Sequence, residues 1–306
     1  MMGLFPNTAE RLTALFAQSP VIQFDDDDRF IFFSDCHRGN GSWQDDYAKN
    51  RDLHLHALSY YFSEGFTYFE LGDGDELFEV ADFSEIRYTH SNVFRVMRQF
   101  HENGRLHLLY GNHDITRRDT AVVERELYSY YNYYTDQTHP LLPDIKVHEG
   151  LRLQHRSSGQ TIFLFHGHQG HLFNDHLWPI ARFFVRQVWT RLQFLGWSDP
   201  TMPPKPYQKV HKDESHIQAW AQANNQMVMC GHTHRSWIAK PGEVPYFNSG
   251  SCIHPRCITG LEIVNGTIAL IKWELEPHTD IVSEDGLLHI RRSVLADGPV
   301  PLAAFQ

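Results

Sequence analysis

Five short apolar runs punctuate the chain, and each breaks off in a polar cluster: residues 29–34 (RFIFFS), 67–71 (TYFEL), 106–110 (LHLLY), 161–165 (TIFLF) and 226–230 (QMVMC). Runs of five or six residues rich in Phe, Ile, Leu, Tyr and Met suit strands buried on both faces. Helical periodicity fills the early gaps. In 46–64, Leu53, Ala57, Tyr60 and Tyr61 repeat at i, i+4, i+7 and i+8, and in 86–103, Val93, Val96, Met97 and Phe100 repeat at i, i+3, i+4 and i+7. Gly65 and Gly104 stand just past these segments, where a left-handed residue closes a helix. Strand alternating with helix predicts an α/β domain with right-handed crossovers. From 170 to 225 the pattern turns helical, aromatic and basic, then proline-rich at 199–207, and is read as an inserted helical cap. Short strands resume over 244–273, with Asn265-Gly266 as a hairpin turn. Residues 276–306 alternate weakly and form an extension without a reading of its own.

Composition narrows the function. The 306 residues are 42% hydrophobic, enough for a sizeable core without disulfides. A formal charge of -10 argues against a broad basic surface for duplex nucleic acid. Cys36, Cys230, Cys252 and Cys257 lie in mostly apolar stretches with no disulfide framework, which suits reduced thiols in cytosol. Residues 1–20 carry Glu10 and Arg11 inside their apolar run and show no export signal, and no run of 18 apolar residues suits a spanning helix. The four aspartates at 25–28 read as a solvated turn. Twenty-one histidines are far more than a core or a solvated surface requires, and with many aspartates they point to metal.

Each apolar run is followed at once by metal-binding side chains. Asp35-Cys36-His37 follows the first, Gly72-Asp73-Gly74-Asp75 the second and Gly111-Asn112-His113-Asp114 the third, then His166-Gly167-His168 and Gly231-His232-Thr233-His234. Open α/β sheets bind ligands at the carboxyl ends of their strands. Extended backbone turns residues i and i+2 the same way, so Asp35 and His37 are expected to face one point, as are His232 and His234. A lone D-x-H or H-x-H is a common accident, but five such clusters at five expected strand ends are not. Oxygen and nitrogen donors without thiolates suit two Mn, Fe or Zn ions, with Mg alone disfavoured by four histidines.

These motifs, D-x-H, G-D, G-N-H-D, a His after a strand and G-H-x-H, resemble the calcineurin-like metallophosphoesterase superfamily over 31–250. The resemblance implies two packed mixed β-sheets flanked by helices, with the core in 1–169 and 226–275. It implies one metal held by Asp35, His37 and His234, a second by Asn112, His166 and His232, and Asp73 shared. His113 would then be a general acid beside the leaving group, with Asp114 orienting it. His168 is the second choice beside His166, and Asp75 and Glu76 are extra carboxylates where the family shows one Asp followed by apolar residues. Two cations would bring a shared water towards a pKa of roughly 7, giving a hydroxide that attacks a phosphate ester or pyrophosphate. Arg38, Arg117 and Arg118 flank two of the turns and are candidates to grip phosphate oxygens.

The segment 176–197 sets one broad apolar face toward a core and leaves Phe183 and Phe194 as a second ridge, a candidate surface for an apolar substrate group, a partner helix or a membrane periphery. Such an insert is similar to that of the UDP-2,3-diacylglucosamine hydrolases. The expected partner is accordingly a phosphorylated small molecule or a lipid-linked substrate. The rivals are a non-catalytic metal-binding scaffold and a nuclease, which is expected to show a basic aromatic groove and against which the acidic balance speaks.

Overall fold

The computed structural model describes residues 7–169, 207–276, 289–296 and 298–306, with the side chains of 207–213 left aside. In chain order the first strands are β1 (Val21–Phe24), β2 (Phe30–Phe33), β3 (Thr67–Leu71), β4 (Leu106–Leu109), β5 (Ser129–Asn132), β6 (Gln137–Pro140) and β7 (Val147–His148). Then come β8 (Gly150–His155), β9 (Thr161–Phe165), β10 (Met227–Cys230), β11 (Tyr246–Asn248), β12 (Cys257–Val264), β13 (Thr267–Leu275), β14 (Ile290–Val294) and β15 (Val300–Pro301). The helices are α1 (Thr8–Gln18), α2 (Arg51–Ser63), α3 (Phe83–Thr89), α4 (Ser91–Glu102), the short α5 (Thr120–Val123) and α6 (Tyr207–Ala223).

Two mixed sheets form, ordered β1-β8-β9-β10-β11 and β14-β13-β12-β2-β3-β4-β7, the second with β15 also on β13. Period-2 alternation sorts the side chains. Phe30 and Phe32 on β2 join Phe69, Leu109, Leu153, Ile162, Leu164 and Met229 in a core shared by both sheets. Ile31 and Phe33 point the other way, onto Leu53, Ala57, Tyr61, Val93 and Phe100 of α2 and α4. Phe163, Phe165 and Val228 cover the far face of the first sheet against Leu12, Leu15, Ile217 and Trp220 of α1 and α6. The result is helix, sheet, sheet, helix, which is the expected α/β sandwich. It also explains why the apolar runs are continuous, since each strand buries both faces.

The helical expectations are refined. The segment 46–64 is a 3₁₀ turn, Tyr47–Lys49, followed by α2, and 86–103 falls on two helices that break at His90. His90 is buried and its Nε2–H donates to Asp45 Oδ2 at 2.9 Å. Asn265 and Gly266 form the expected two-residue turn, both at positive φ (50° and 66°).

Two boundaries move. Within the expected cap, 207–223 is α6, which packs on α1 and the first sheet: Trp220 donates Nε1–H to Thr13 Oγ1 at 2.9 Å and its ring lies 5.6 Å from that of Phe163. It therefore belongs to the outer helical layer of the core. The C-terminal extension supplies β14 and β15, both antiparallel to β13, whose half-exposed edge positions gave only weak alternation. The remaining cap residues, 170–206, lie outside the described residues. Among the described residues no helix is long and apolar enough to cross a membrane.

Candidate metal centre

The candidate ligands stand directly beyond the ends of β2, β3, β4, β9 and β10, but extended backbone is not what aims them. Asp35 and His37 have φ of 50° and 48°, Asp73 51°, His232 68° and His234 57°. The left-handed region costs a non-glycine residue about 1–2 kcal/mol, so such a set persists only where the surroundings enforce it. Here neighbouring turns lock one another: Asp35 N–H donates to Gly72 O at 3.1 Å, His37 N–H to Asp73 O at 2.9 Å and Cys252 N–H to Asp35 O at 3.2 Å.

Asp35 and Asp73 each divide their oxygens between two tasks. Asp35 Oδ2 accepts from His232 N–H at 2.9 Å and from the Ser34 hydroxyl at 2.5 Å, leaving Oδ1 3.1 Å from His234 Nε2. Asp73 Oδ1 accepts from His113 N–H at 2.8 Å, leaving Oδ2 3.1 Å from His166 Nε2 and 3.8 Å from His37 Nε2. This close approach of backbone to carboxylate requires glycine. A Cβ on Gly111 would sit 2.1 Å from Asp73 Oδ1, and one on Gly231 would sit 2.4 Å from Asp35 Oδ2.

The imidazoles are oriented from behind. His37 Nδ1–H donates to Glu76 at 2.9 Å and His166 Nδ1–H to Leu71 O at 2.8 Å, so both rings present the Nε2 lone pair inward. Donor atoms of Asp35, His37 and His234 lie within 4.8 Å of one another, as do those of Asp73, His166 and His232. His37 Nε2 and His234 Nε2 are 3.3 Å apart. Among the described residues, Asp35 Oδ1, Asn112 Oδ1 and His166 Nε2 are buried without a hydrogen-bond partner. Each such buried group costs roughly 1–3 kcal/mol when unsatisfied. Lone pairs of oxygen and nitrogen facing one another at these distances are the donor set of divalent cations, and the residues fit them. The two carboxylates favour positive charge at this point: burial pushes His166 down, but Asp73 and Asp35 lift it to about 9, so without a cation the ring itself takes up a proton.

Six of the seven expected ligands fall in these two donor clusters, Asn112 is buried in the loop after β4, and the His113 ring lies beside His37. Burial pushes His113 down, yet Glu76 and Asp73 raise it to about 10, which keeps the ring protonated. Its ring is edge-on to His37 at 4.5 Å and stacked on Phe78 at 4.8 Å. Asp114 does not orient it. Its Oδ1 accepts from Gly111 N–H at 2.6 Å and its Oδ2 from Gly74 N–H at 3.0 Å, so it clamps two ligand loops, and Glu76 is the carboxylate on the His113 ring. Only the extra carboxylates after Asp73 hinted at this in the sequence. His168 is buried with its ring centroid 5.5 Å from that of His166, but it is not part of either donor cluster.

Two of the three expected phosphate grips are corrected. Arg38 is fully buried, donating to both oxygens of Glu70 at 2.7 and 2.8 Å and to Asp75 at 2.7 Å, and Arg117 is buried against Asp75. Their charge neutralises two buried carboxylates and braces the loops after β2, β3 and β4. The signal available was Glu70, a carboxylate inside an apolar strand, which demands a buried cation. Arg118 is exposed beside these turns. Phe183 and Phe194 lie outside the described residues.

A family model described as calcineurin-like phosphoesterase matches residues 28–236. No curated protein matches the chain. Among solved structures, vacuolar protein sorting 29 of Cryptosporidium parvum is 13% identical with a TM-score of 0.37, the alignment covering 89% of this chain and 100% of that one. A predicted phosphoesterase of Streptococcus pneumoniae is 15% identical with a TM-score of 0.34, covering 88% and 98%. Vps29 of Chaetomium thermophilum is 10% identical with a TM-score of 0.41, covering 89% and 97%.

Proposed function

The chain belongs to the calcineurin-like phosphoesterase family, and from that premise we propose that it hydrolyses a phosphate ester or pyrophosphate bond with a dinuclear metal centre. Asp35, His37 and His234 would hold one ion, Asn112, His166 and His232 the other, with Asp73 shared. The observation that carries this reading is the division of labour in Asp35 and Asp73, each with one oxygen pinned by a backbone N–H and the other aimed at imidazole lone pairs. When bound, two such cations supply Lewis-acid stabilisation of the phosphoryl oxygens and an activated water.

The chain's own residues account for the other half of the reaction. His113, paired through Nδ1 with the Glu76 carboxylate, donates a proton to the departing oxygen, where negative charge accumulates. Glu76 fixes the ring through Nδ1, so the proton that is transferred is the one on Nε2. Phe78 covers one face of the ring and limits its rotation. Backbone amides of His113 and His232 each hold one oxygen of the two aspartates in place.

A turnover assay of the manganese-loaded protein against phosphomonoesters, phosphodiesters and nucleoside diphosphate sugars tests the proposal. Hydrolysis of at least one class, abolished by a chelator and restored by manganese, is expected. Two bound ions with no turnover on any class would return the chain to the scaffold reading.

A further inference from the structure

A second cluster of metal-binding side chains lies on the core side of the same loop. Cys36 separates Asp35 from His37 and points away from them. Its thiol meets Cys252, in the turn between β11 and β12, and His54 on α2. Donor atoms of the three residues lie within 4.8 Å of one another, and all three side chains are fully buried. No disulfide links the cysteines.

His54 is the informative member. It occupies the buried face of α2 with Leu53, Ala57 and Tyr61, a position that ordinarily takes an aliphatic side chain. Its Nδ1 is paired with the Tyr47 hydroxyl at 2.8 Å, while its Nε2 is buried without a hydrogen-bond partner among the described residues. Burial and Arg38 push the ring down to about 3, so it is neutral. In the tautomer whose Nδ1–H donates to the Tyr47 oxygen, Nε2 carries a lone pair, which is the arrangement that orients a metal-binding histidine. A buried imidazole with nothing on its lone pair is a cost that packing does not explain.

We propose that Cys36, His54 and Cys252 form a further cation site, separate from the dinuclear centre, for a thiophilic d¹⁰ ion, Zn²⁺ or Cu⁺. Two thiolates and an imidazole select such ions over the harder cations suited to carboxylates. The charge is tolerable in the core: Arg38 and Arg117 already balance Glu70 and Asp75 nearby, Zn²⁺ with two thiolates adds no net charge, and Cu⁺ with two thiolates leaves a single negative charge. The ion would tie α2 to the strained loop carrying Asp35 and His37 and to the turn whose Cys252 N–H donates to Asp35 O, holding those two ligands in place from behind.

Cobalt(II) loading of the full chain tests the site independently of the dinuclear reading, because none of the seven expected ligands of that centre is a thiol. A thiolate-to-cobalt charge-transfer band in the near ultraviolet is expected. It should be lost in Cys252→Ser and His54→Ala, unchanged in the control Cys230→Ser, and bleached by added Zn²⁺ or by Cu⁺ under reducing conditions. Visible cobalt absorption without the charge-transfer band in the parent protein would overturn the proposal, and this outcome requires no variant to fold. Persistence of the band in Cys252→Ser, or failure of both d¹⁰ ions to bleach it, would also overturn it.

Discussion

Glu76 accepts the Nδ1–H of His113 with both carboxylate oxygens, at 2.8 and 2.7 Å, and its Oε2 also accepts from His37 Nδ1 at 2.9 Å. One carboxylate thus joins the proposed proton donor to a proposed metal ligand. It is partly buried, and although desolvation raises its pKa, His113 and His37 bring it down to about 2, so it remains charged.

His113→Ala is expected to retain metal and to lower kcat about 100- to 10,000-fold on substrates with poor leaving groups, the usual contribution of a general acid. The loss on an activated nitrophenyl ester should be small, because that group departs without a proton. Glu76→Gln should cost about 10- to 100-fold and weaken metal binding as well, since it touches His37. Rates on both ester types, with metal content alongside, check these outcomes. Equal losses on both esters in His113→Ala would remove the proton-donor role.

Trp220→Ala should destabilise the protein by about 3–5 kcal/mol, the cost of emptying a packed aromatic site, because Trp220 lies between α1 and the first sheet. The folded fraction should keep its kcat. Urea unfolding measures the first effect. A loss below about 1 kcal/mol would place α6 in a detachable cap after all.

Asp45 carries a pH dependence. Burial raises its carboxyl, but the hydrogen bond and charge of His90, with the N–H groups of Gly41 and Ala48, hold it below the usual carboxylate range. A lowered folded pKa favours folding above the unfolded value of about 4, and this contribution is lost as pH falls through the lower folded value. Asp45→Asn should therefore be less stable than the parent at pH 7, with the gap narrowing towards pH 3. Unfolding midpoints at the two pH values check the sign, and a gap that widens on acidification would contradict it.

The candidate ligands were legible in the sequence because each follows a strand buried on both faces, so strand end and candidate ligand coincide. Asp35, His37 and His234 meet in one donor cluster, and Asp73, His166 and His232 in the other. The backbone reason was not legible: alternation along an extended chain suggested convergence, whereas left-handed turns locked by neighbouring loops produce it. Pairings set by tertiary contact were hidden too. Arg38 resembles a phosphate grip until Glu70 and Asp75 are seen around it. Asp114 is adjacent to His113 in sequence, but Glu76, 37 residues away, reaches the ring. The aromatic helix α6 read as cap because its packing partner, α1, lies near the other end of the chain.

The central claim is a two-ion centre sharing Asp73, and the metal content of manganese-reconstituted protein measures it most directly. Manganese favours oxygen and nitrogen donors, so the thiol cluster does not add to the count. Two ions per chain are expected in the parent protein, and at most one in Asp73→Asn with its fold intact by circular dichroism. One ion or none in the folded parent protein would contradict the claim.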